Sequence, residues 1–455
     1  MTSAEELLRA AGQGALEKHL AMLSPAERQA LESDLSTLSV AELSELRAAL
    51  KTAPNAAETR FEQMEVLRRG ENVERDAEAL TLGRAMLARG EVAALIVAGG
   101  QGTRLGLSGP KGKFPAGPVT GASLFSILAR KVLRRSRDAG RSIPLCVMTG
   151  PDNDAETRAH FAEHGCFGLD PACVHFFVQG TLPAVDADGA LLLKSPTALF
   201  RSPDGHGGTL RALQVSGLLG ALERAGIKTL FYFQVDNPLV DVCDPWFIGM
   251  HALRGSEFSS KAVLKRGPDE KVGVLGRVNG VPGVIEYSDL PAVVREARNE
   301  DGTLRFGAGN IAIHAIELSF VKRIVSGQER LPLHLARKDI PSMGPDGAVH
   351  LRPGIKFETF IFDAMRTAAH PLLVVVRRED EFSPIKNRAG EDSPESCRRD
   401  QMAQWLRWLD AAGVPLPRDA AGAVGSVEIS PLTALGPEDL AAFKGRGLPT
   451  GDVVL

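Results

Sequence analysis

Residues 94–114 read ALIVAGGQGTRLGLSGPKGKF, and this stretch decides how the rest of the chain is understood. Its first five residues are apolar without alternation, as expected of a strand covered on both faces in a parallel sheet. Gly99, Gly100, Gly102 and Gly106 follow closely. Glycine lets backbone N–H groups approach a ligand with no Cβ in the way, and a row of bare amides attracts anions. Arg104, Lys111 and Lys113 add full charges, Arg as a planar fork suited to phosphate oxygens and Lys as a mobile point charge. Two common phosphate templates fail. No glycine opens G-x-x-x-x-G-K-[ST] and Phe114 follows Lys113, while Leu105 occupies the third glycine position of G-x-G-x-x-G. This argues against a P-loop ATPase and a standard dinucleotide site. It leaves either an anion-binding loop or a tight strand-to-helix connection.

Bulk properties narrow the classes. A chain of 455 residues is long enough for two or three domains. Lys+Arg 53 against Asp+Glu 56 gives a net charge of -3, so nothing draws the whole molecule to nucleic acid or anionic membranes. Phosphate binding must be local. The cysteines, Cys146, Cys166, Cys173, Cys243 and Cys397, are odd in number and scattered without a C-x-x-C pair. That fits a reducing cytosol and disfavours a disulfide framework or a structural zinc. The start, MTSAEELLRA, lacks a signal-peptide pattern, and no run of about 18 apolar residues could span a bilayer. A cytoplasmic protein is expected.

Working outward, residues 1–88 read as a helical domain. Ser3 with Glu6, Ser24 with Glu27 and Ser39 with Glu42 form three capping-box pairs, each marking a helix start. Leu31, Leu35 and Leu38 make one apolar stripe between them. Residues 89–370 alternate strands and helices, the pattern of a mainly parallel α/β sheet. After the opening strand come a helix face of Leu124, Leu128 and Val132, then strands at 145–148, 174–178 and 229–235. Ligands collect at the carboxyl ends of strands in such sheets, which nominates Gly150, Gln179 and Asp236. Shorter strands at 261–264, 272–278 and 284–287 suggest an added sheet. Residues 371–455 read as a C-terminal α+β domain: an apolar strand in PLLVVVRRED, a helix opened by Ser393-Pro394-Glu395 and carrying Met402, Trp405, Leu406 and Leu409, and β pieces at 423–429 and 453–455.

Asp236 closes the apolar strand YFQVDN, where a carboxylate is costly unless it meets a cation. Magnesium suits, since Mg²⁺ takes one or two carboxylates and completes its shell with phosphate oxygens and water. The alternative is an aspartate capping the next turn with Asn237 and Pro238. Phe360 and Phe362, two apart in FETFIFD, fall on one face of a strand, where periodicity alone indicates core packing.

The segment 95–114 is similar to the signature of the eukaryotic-type UDP-sugar pyrophosphorylases, most closely their N-acetylhexosamine branch. FFVQGTLPA at 176–184, PDGHGGTLRAL at 203–213, VDNPLVDVCDPWFIG at 235–249, GVIEYSDL at 283–290, AGNIAIH at 308–314, GIKFETFIFD at 354–363 and REDEFSPIKN at 378–387 agree in the family's order. The resemblance implies a Rossmann-like nucleotidyltransferase domain with a mixed, mainly parallel sheet, a helical N-terminal segment and a small C-terminal β-containing domain. It implies a uridylyltransferase joining UTP and an N-acetylhexosamine 1-phosphate into a UDP-sugar and pyrophosphate, with Mg²⁺ or Mn²⁺. Such chemistry needs positioning and cations more than covalent participation. Carried over by position, Gly99 and Gly100 would meet the nucleotide, and Gln179 with Gly205 the uracil edge. Arg104, Lys111, Lys356 and Lys386 would hold phosphates; Glu286 and Asn310 would touch sugar hydroxyls; Phe360 and Phe362 would wall the acetyl methyl. His206 departs from the branch, which usually has Asn there, whereas the glucose and broad-specificity branches carry GHG. A glucose or broad-specificity pyrophosphorylase is therefore the alternative, and a non-catalytic nucleotide-sugar binding protein a more distant one. The expected partners are these small molecules, with no nucleic acid or membrane, and the chain acts as a monomer or homodimer.

Overall fold

In the computed structural model, Val92–Val97 is a strand buried at every residue, as an unbroken apolar run requires. Residues 3–51, 60–287, 290–327, 329–344, 346–416, 425–449 and 451–455 are described. The chain divides into two units: Met1–Thr59 with Gln179–Arg211 and Arg330–Asp363, and Arg60–Val178 with Ala212–Glu329 and Ala364–Leu455.

The larger unit is built on one sheet, which takes in eleven strands of the described residues. Its main path runs Val66–Leu67, Leu372–Val376, Phe258–Leu264, Ala308–Glu317, Thr229–Gln234, Val92–Val97, Leu145–Thr149, Val174–Val178. Neighbours are parallel except at Ala308–Glu317, which is antiparallel to both its partners. The sheet is thus mixed and mainly parallel. The short strands read as an added sheet belong to this same sheet: Val274–Val278 pairs with Val281–Ile285, and Val274 lies opposite Gly309.

Helices cover the sheet where the sequence leaves room for them. Val73–Arg89 and Pro245–Leu253 approach so closely that a Cβ on Gly83 would lie 1.7 Å from the Pro245 carbonyl oxygen. Phe231, Phe233, Trp246 and Phe247 belong to the core beneath. Inside it Lys261 is fully buried, its Nζ 2.8 Å from Asp244 Oδ2 and 2.6 Å from Glu381 Oε1. Helix Pro394–Ala411 begins at a capping box closed by Ser393 and Ser396, and packs Trp405 and Leu409 against Val427 and Leu440. Strand Val427–Glu428 pairs in parallel with Val453–Val454. Residues 423 and 424 of the expected strand lie outside the described residues.

In the smaller unit, helices Ala4–Ala10, Pro25–Leu35 and Val40–Lys51 start at the three predicted serines, each with its glutamate returning to the cap. A further helix, Gly14–Met22, has no side-chain cap. Gln13 before it is turned elsewhere, donating to the Gly189 carbonyl and accepting from the Leu191 amide. Leu31 and Leu35 pack in one core with Leu191, Leu193 and Phe357. A hairpin of His334–Met343 and Val349–Glu358 completes the unit. Among the described residues no helix is long and apolar enough to cross a membrane.

Candidate functional site

The start of the glycine loop in the larger unit is held through its carbonyls, while the amides of Gly102 and Gly106 bond within the loop. The Gly100 carbonyl accepts from the Lys111 amide at 3.1 Å and from Asn153 Nδ2 at 3.2 Å. Asn153, almost fully buried, also donates to the Ala98 carbonyl at 3.0 Å and accepts from the Gly150 amide at 2.7 Å. Among the described residues the N–H groups of Gly99 and Gly100 have no acceptor, and a Cβ on Gly100 would meet open space. Bare amides beside open space suit an anion. The other glycines make room for protein: a Cβ on Gly102 would strike Leu107, and one on Gly112 the Phe125 ring. The connection is therefore both tight and anion-ready.

A cation and a carboxylate meet at this loop. Lys111 Nζ is 2.9 Å from Asp236 Oδ2. The Asp236 carbonyl accepts from the Ile385 amide, which seats Lys386 in the same region. Lys386 Nζ is 3.8 Å from Asp392 Oδ2 and 5.4 Å from the Phe382 ring centre. Burial pushes the Asp392 carboxyl up, with Lys386 opposing. Arg104 is exposed, and among the described residues it makes no ion pair or hydrogen bond. Lys113 is engaged by Glu156. Asp236 Oδ1 has no donor among the described residues, so the turn-capping alternative has no hydrogen bond behind it; Asn237 does that work, its Oδ1 accepting from the Leu239 and Ser383 amides.

Glu286 and Asn310 come to the two sides of Gly273. The Asn310 amide donates to the Gly273 carbonyl, and a Cβ on Gly273 would stand 3.5 Å from Glu286 Oε1. Asn310 Oδ1 accepts from the Ala312 amide, supporting a left-handed residue at Ala312.

The smaller unit gathers its own set. Gln179 Nε2 donates to the Gly205 carbonyl at 2.8 Å, so the two residues nominated for one uracil edge are adjacent. Gly205 has φ +82, and a Cβ there would lie 2.3 Å from the Thr359 carbonyl oxygen. Gly205 and Gly207 thus clear space for the 359–360 backbone as well. The buried Asp204 escaped sequence analysis: burial pushes its carboxyl up to about 6, and Oδ1 has no partner. A Cβ on Gly208 would sit 2.0 Å from that oxygen, which explains the glycine.

Phe360 and Phe362 do not share a strand face. The strand ends at Glu358, and Ile361–Arg366 is a 3-10 turn, so the spacing carries no period-2 meaning. Their rings still meet, 5.1 Å apart, with His206 stacked on Phe360 at 5.3 Å and His334 at 4.3 Å. His206 Nδ1 accepts from the Ile361 amide, and burial with His334 nearby pushes its pKa down to about 4. Lys356 lies on strand Val349–Glu358 with Nζ 5.1 Å from the Phe200 ring centre and, among the described residues, no ion pair.

A family model described as UTP--glucose-1-phosphate uridylyltransferase matches residues 44–390. The UDP-N-acetylglucosamine pyrophosphorylase of Saccharomyces cerevisiae is 39% identical over 399 residues, covering 84% of this chain and 82% of the yeast protein. UDP-N-acetylglucosamine diphosphorylase 1 of Arabidopsis thaliana is 38% identical over 382 residues, 80% of this chain and 75% of its own. Among solved structures, the uridine diphosphate N-acetylglucosamine pyrophosphorylase of Trypanosoma brucei in complex with inhibitor aligns with a TM-score of 0.83 at 31% identity, over 99% of this chain and 97% of that one.

Proposed function

Since the chain belongs to the UTP--glucose-1-phosphate uridylyltransferase family, we propose that it makes UDP-N-acetylglucosamine, or its galacto epimer, and pyrophosphate from UTP and the matching N-acetylhexosamine 1-phosphate. The observation that supports this best is the free amides of Gly99 and Gly100 beside the Lys111–Asp236 pair, in a chain resembling enzymes named for that sugar nucleotide. A sugar phosphate oxygen attacks the α-phosphorus of UTP; the new P–O bond forms as the bond to the β-phosphate bridge breaks, and pyrophosphate leaves. The amides, Arg104 and Lys111 orient the triphosphate and balance charge on the leaving group, with Lys356 and Lys386 as further phosphate cations.

Gln179 and Gly205 are assigned to uracil. With Nε2 committed to Gly205, Gln179 presents Oε1 as an acceptor. Glu286, Asn310, His206, Phe360 and Phe362 are assigned to the sugar. Asp236 is the residue that would hold Mg²⁺ or Mn²⁺, its undonated Oδ1 offering a hard oxygen at a strand end. The ion, when bound, supplies charge neutralisation at the phosphates. The reading is of a cytoplasmic enzyme, monomeric or homodimeric, and the near-balanced charge suits one that acts on small molecules alone.

His206 favours a second reading in which glucose 1-phosphate is also accepted. Purified protein with UTP, Mg²⁺ and a panel of N-acetylglucosamine, N-acetylgalactosamine, glucose and galactose 1-phosphates distinguishes them by pyrophosphate release. The fastest release is expected with N-acetylglucosamine 1-phosphate. Silence across the whole panel would remove the enzymatic assignment.

A further inference from the structure

A cavity of about 950 Å³ in the larger unit has none of the residues assigned above in its wall. It opens among helices Val73–Arg89, Leu124–Ala139 and Pro394–Ala411 and the start of helix Pro245–Leu253. All three tryptophans of the chain, Trp246, Trp405 and Trp408, line it. Such a concentration of flat, polarisable surface suits a planar ring.

The charges on the wall are of two kinds. Arg135, Arg377 and Arg378 are paired with Asp241, Glu379 and Glu270. Arg69, Arg84 and Arg130 line the same cavity and, among the described residues, make no ion pair or hydrogen bond. Arg69 lies 6.0 Å from the Trp246 ring centre, within cation–π range. The wall's acids are mostly engaged: Asp244 and Glu381 by Lys261, Glu428 by the Val119 and Thr120 amides. Glu438 has no cation among the described residues. Arg69, Arg84 and Arg130 thus outnumber the wall acids without a cation among the described residues, Glu428 and Glu438, and the excess is positive.

Lys131 adds a donor from the wall. Its Nζ donates to the Pro238 carbonyl at 2.7 Å and the Val240 carbonyl at 2.8 Å, with no carboxylate among its bonds and its third N–H unmatched among the described residues. Burial pushes its pKa down to about 8, so at neutral pH most copies are still protonated and would gain from an anion.

We propose that this cavity is a second ligand site, separate from the glycine loop, for a small planar aromatic anion of the nucleoside-phosphate class. The ring lies against the tryptophans, and the phosphates meet Arg69, Arg84, Arg130 and Lys131. The volume is that of sites that enclose molecules of this size.

The tryptophans supply the readout. ADP titrated into the full chain is expected to quench intrinsic fluorescence saturably. Exchanging two of the three unpaired arginines, Arg84→Glu with Arg130→Glu, should weaken ADP at least about tenfold with the urea unfolding midpoint unchanged, since charge-assisted contacts are lost and no ion pair is broken. Lys111→Ala should leave ADP affinity within about twofold, because the glycine loop is elsewhere. Adenosine alone and inorganic phosphate alone should each bind at least about tenfold more weakly than ADP. The proposal is overturned if millimolar ADP gives no saturable quench, if the double variant binds as well as wild type, if Lys111→Ala removes binding, or if phosphate alone binds as tightly as ADP.

Discussion

Lys111 Nζ stands 2.9 Å from Asp236 Oδ2, and each side chain is only 17% exposed. The lysine comes from the loop after one core strand and the aspartate from the end of its parallel neighbour, so sheet register itself sets their separation. Each fixes the other, so the loop that carries the free amides presents its cation without a long side chain having to search for its place.

That pairing predicts a division between activity and stability. Lys111→Ala removes one preorganised cation and should lower kcat/KM by roughly 10²–10³-fold. Its stability cost should stay near about 1 kcal/mol, since Asp236 keeps solvent contact. Lys111→Arg should recover only part of the rate, because a planar fork does not reproduce a point charge. Pyrophosphate release and urea unfolding measure the two effects. A Lys111→Ala enzyme retaining more than about a tenth of wild-type kcat/KM would remove Lys111 from the phosphate site.

Asn153 predicts a different pattern. Its side chain bonds to the Gly150 amide and the Ala98 and Gly100 carbonyls at 3.2 Å or less. Asn153→Ala leaves the buried Gly150 amide and Ala98 carbonyl without a partner, while the Gly100 carbonyl keeps the Lys111 amide, costing on the order of 2–3 kcal/mol. The loop amides would lose their fixed direction, so KM for UTP should rise several-fold even where the protein remains folded. A normal KM with lowered stability would make Asn153 a packing residue only.

Much of this was legible in the sequence because it is local. Serine three residues before glutamate is sufficient to start a helix, and Ser3, Ser24 and Ser39 all do so. An unbroken apolar run and a glycine cluster identified the buried strand and the loop. Asn153 was not legible, because two of its three partners, the Ala98 and Gly100 carbonyls, lie more than fifty positions away and nothing in GPDND marks them. Asp204 drew no notice, since only burial gives its carboxyl meaning. Phe360 and Phe362 show the opposite fault: period-2 spacing was applied where the strand had already ended at Glu358. The antiparallel Ala308–Glu317, inserted in a parallel sheet, reads like any buried strand.

Asp204 makes stability depend on pH in a calculable direction. Burial raises its folded carboxyl to about 6, above the ordinary aspartate value of about 3.9. A raised acid favours the protonated native state, so its contribution is complete below about pH 4 and is lost as pH rises through about 6. Above that the native state carries a deficit on the order of 2 kcal/mol. Asp204→Asn should therefore raise the unfolding free energy by about 1–2 kcal/mol at pH 7.5 and change it little at pH 4. Urea titrations at the two pH values test this. An equal effect at both would mean that ionisation of Asp204 is not what matters.

The crossing of helices Val73–Arg89 and Pro245–Leu253 gives the sharpest test of the fold. A Cβ on Gly249 would stand 1.7 Å from the Ala79 carbonyl oxygen, and its neighbours there are backbone atoms on the buried face of the opposing helix. Nothing flexible can yield, so Gly249→Ala must push the helices apart and should cost about 3 kcal/mol or more. Gly220 is a helix-interior control, in Leu218–Arg224. Its added Cβ would meet only Arg224 Nη1 at 3.3 Å, the free end of a mobile side chain. There the backbone entropy of glycine decides, and Gly220→Ala should stabilise by about 0.5–1 kcal/mol. One substitution type thus acquires opposite signs at two helical sites. If Gly249→Ala unfolds at the same urea concentration as wild type, the two helices do not pack as closely as described, and the core beneath them must be arranged differently.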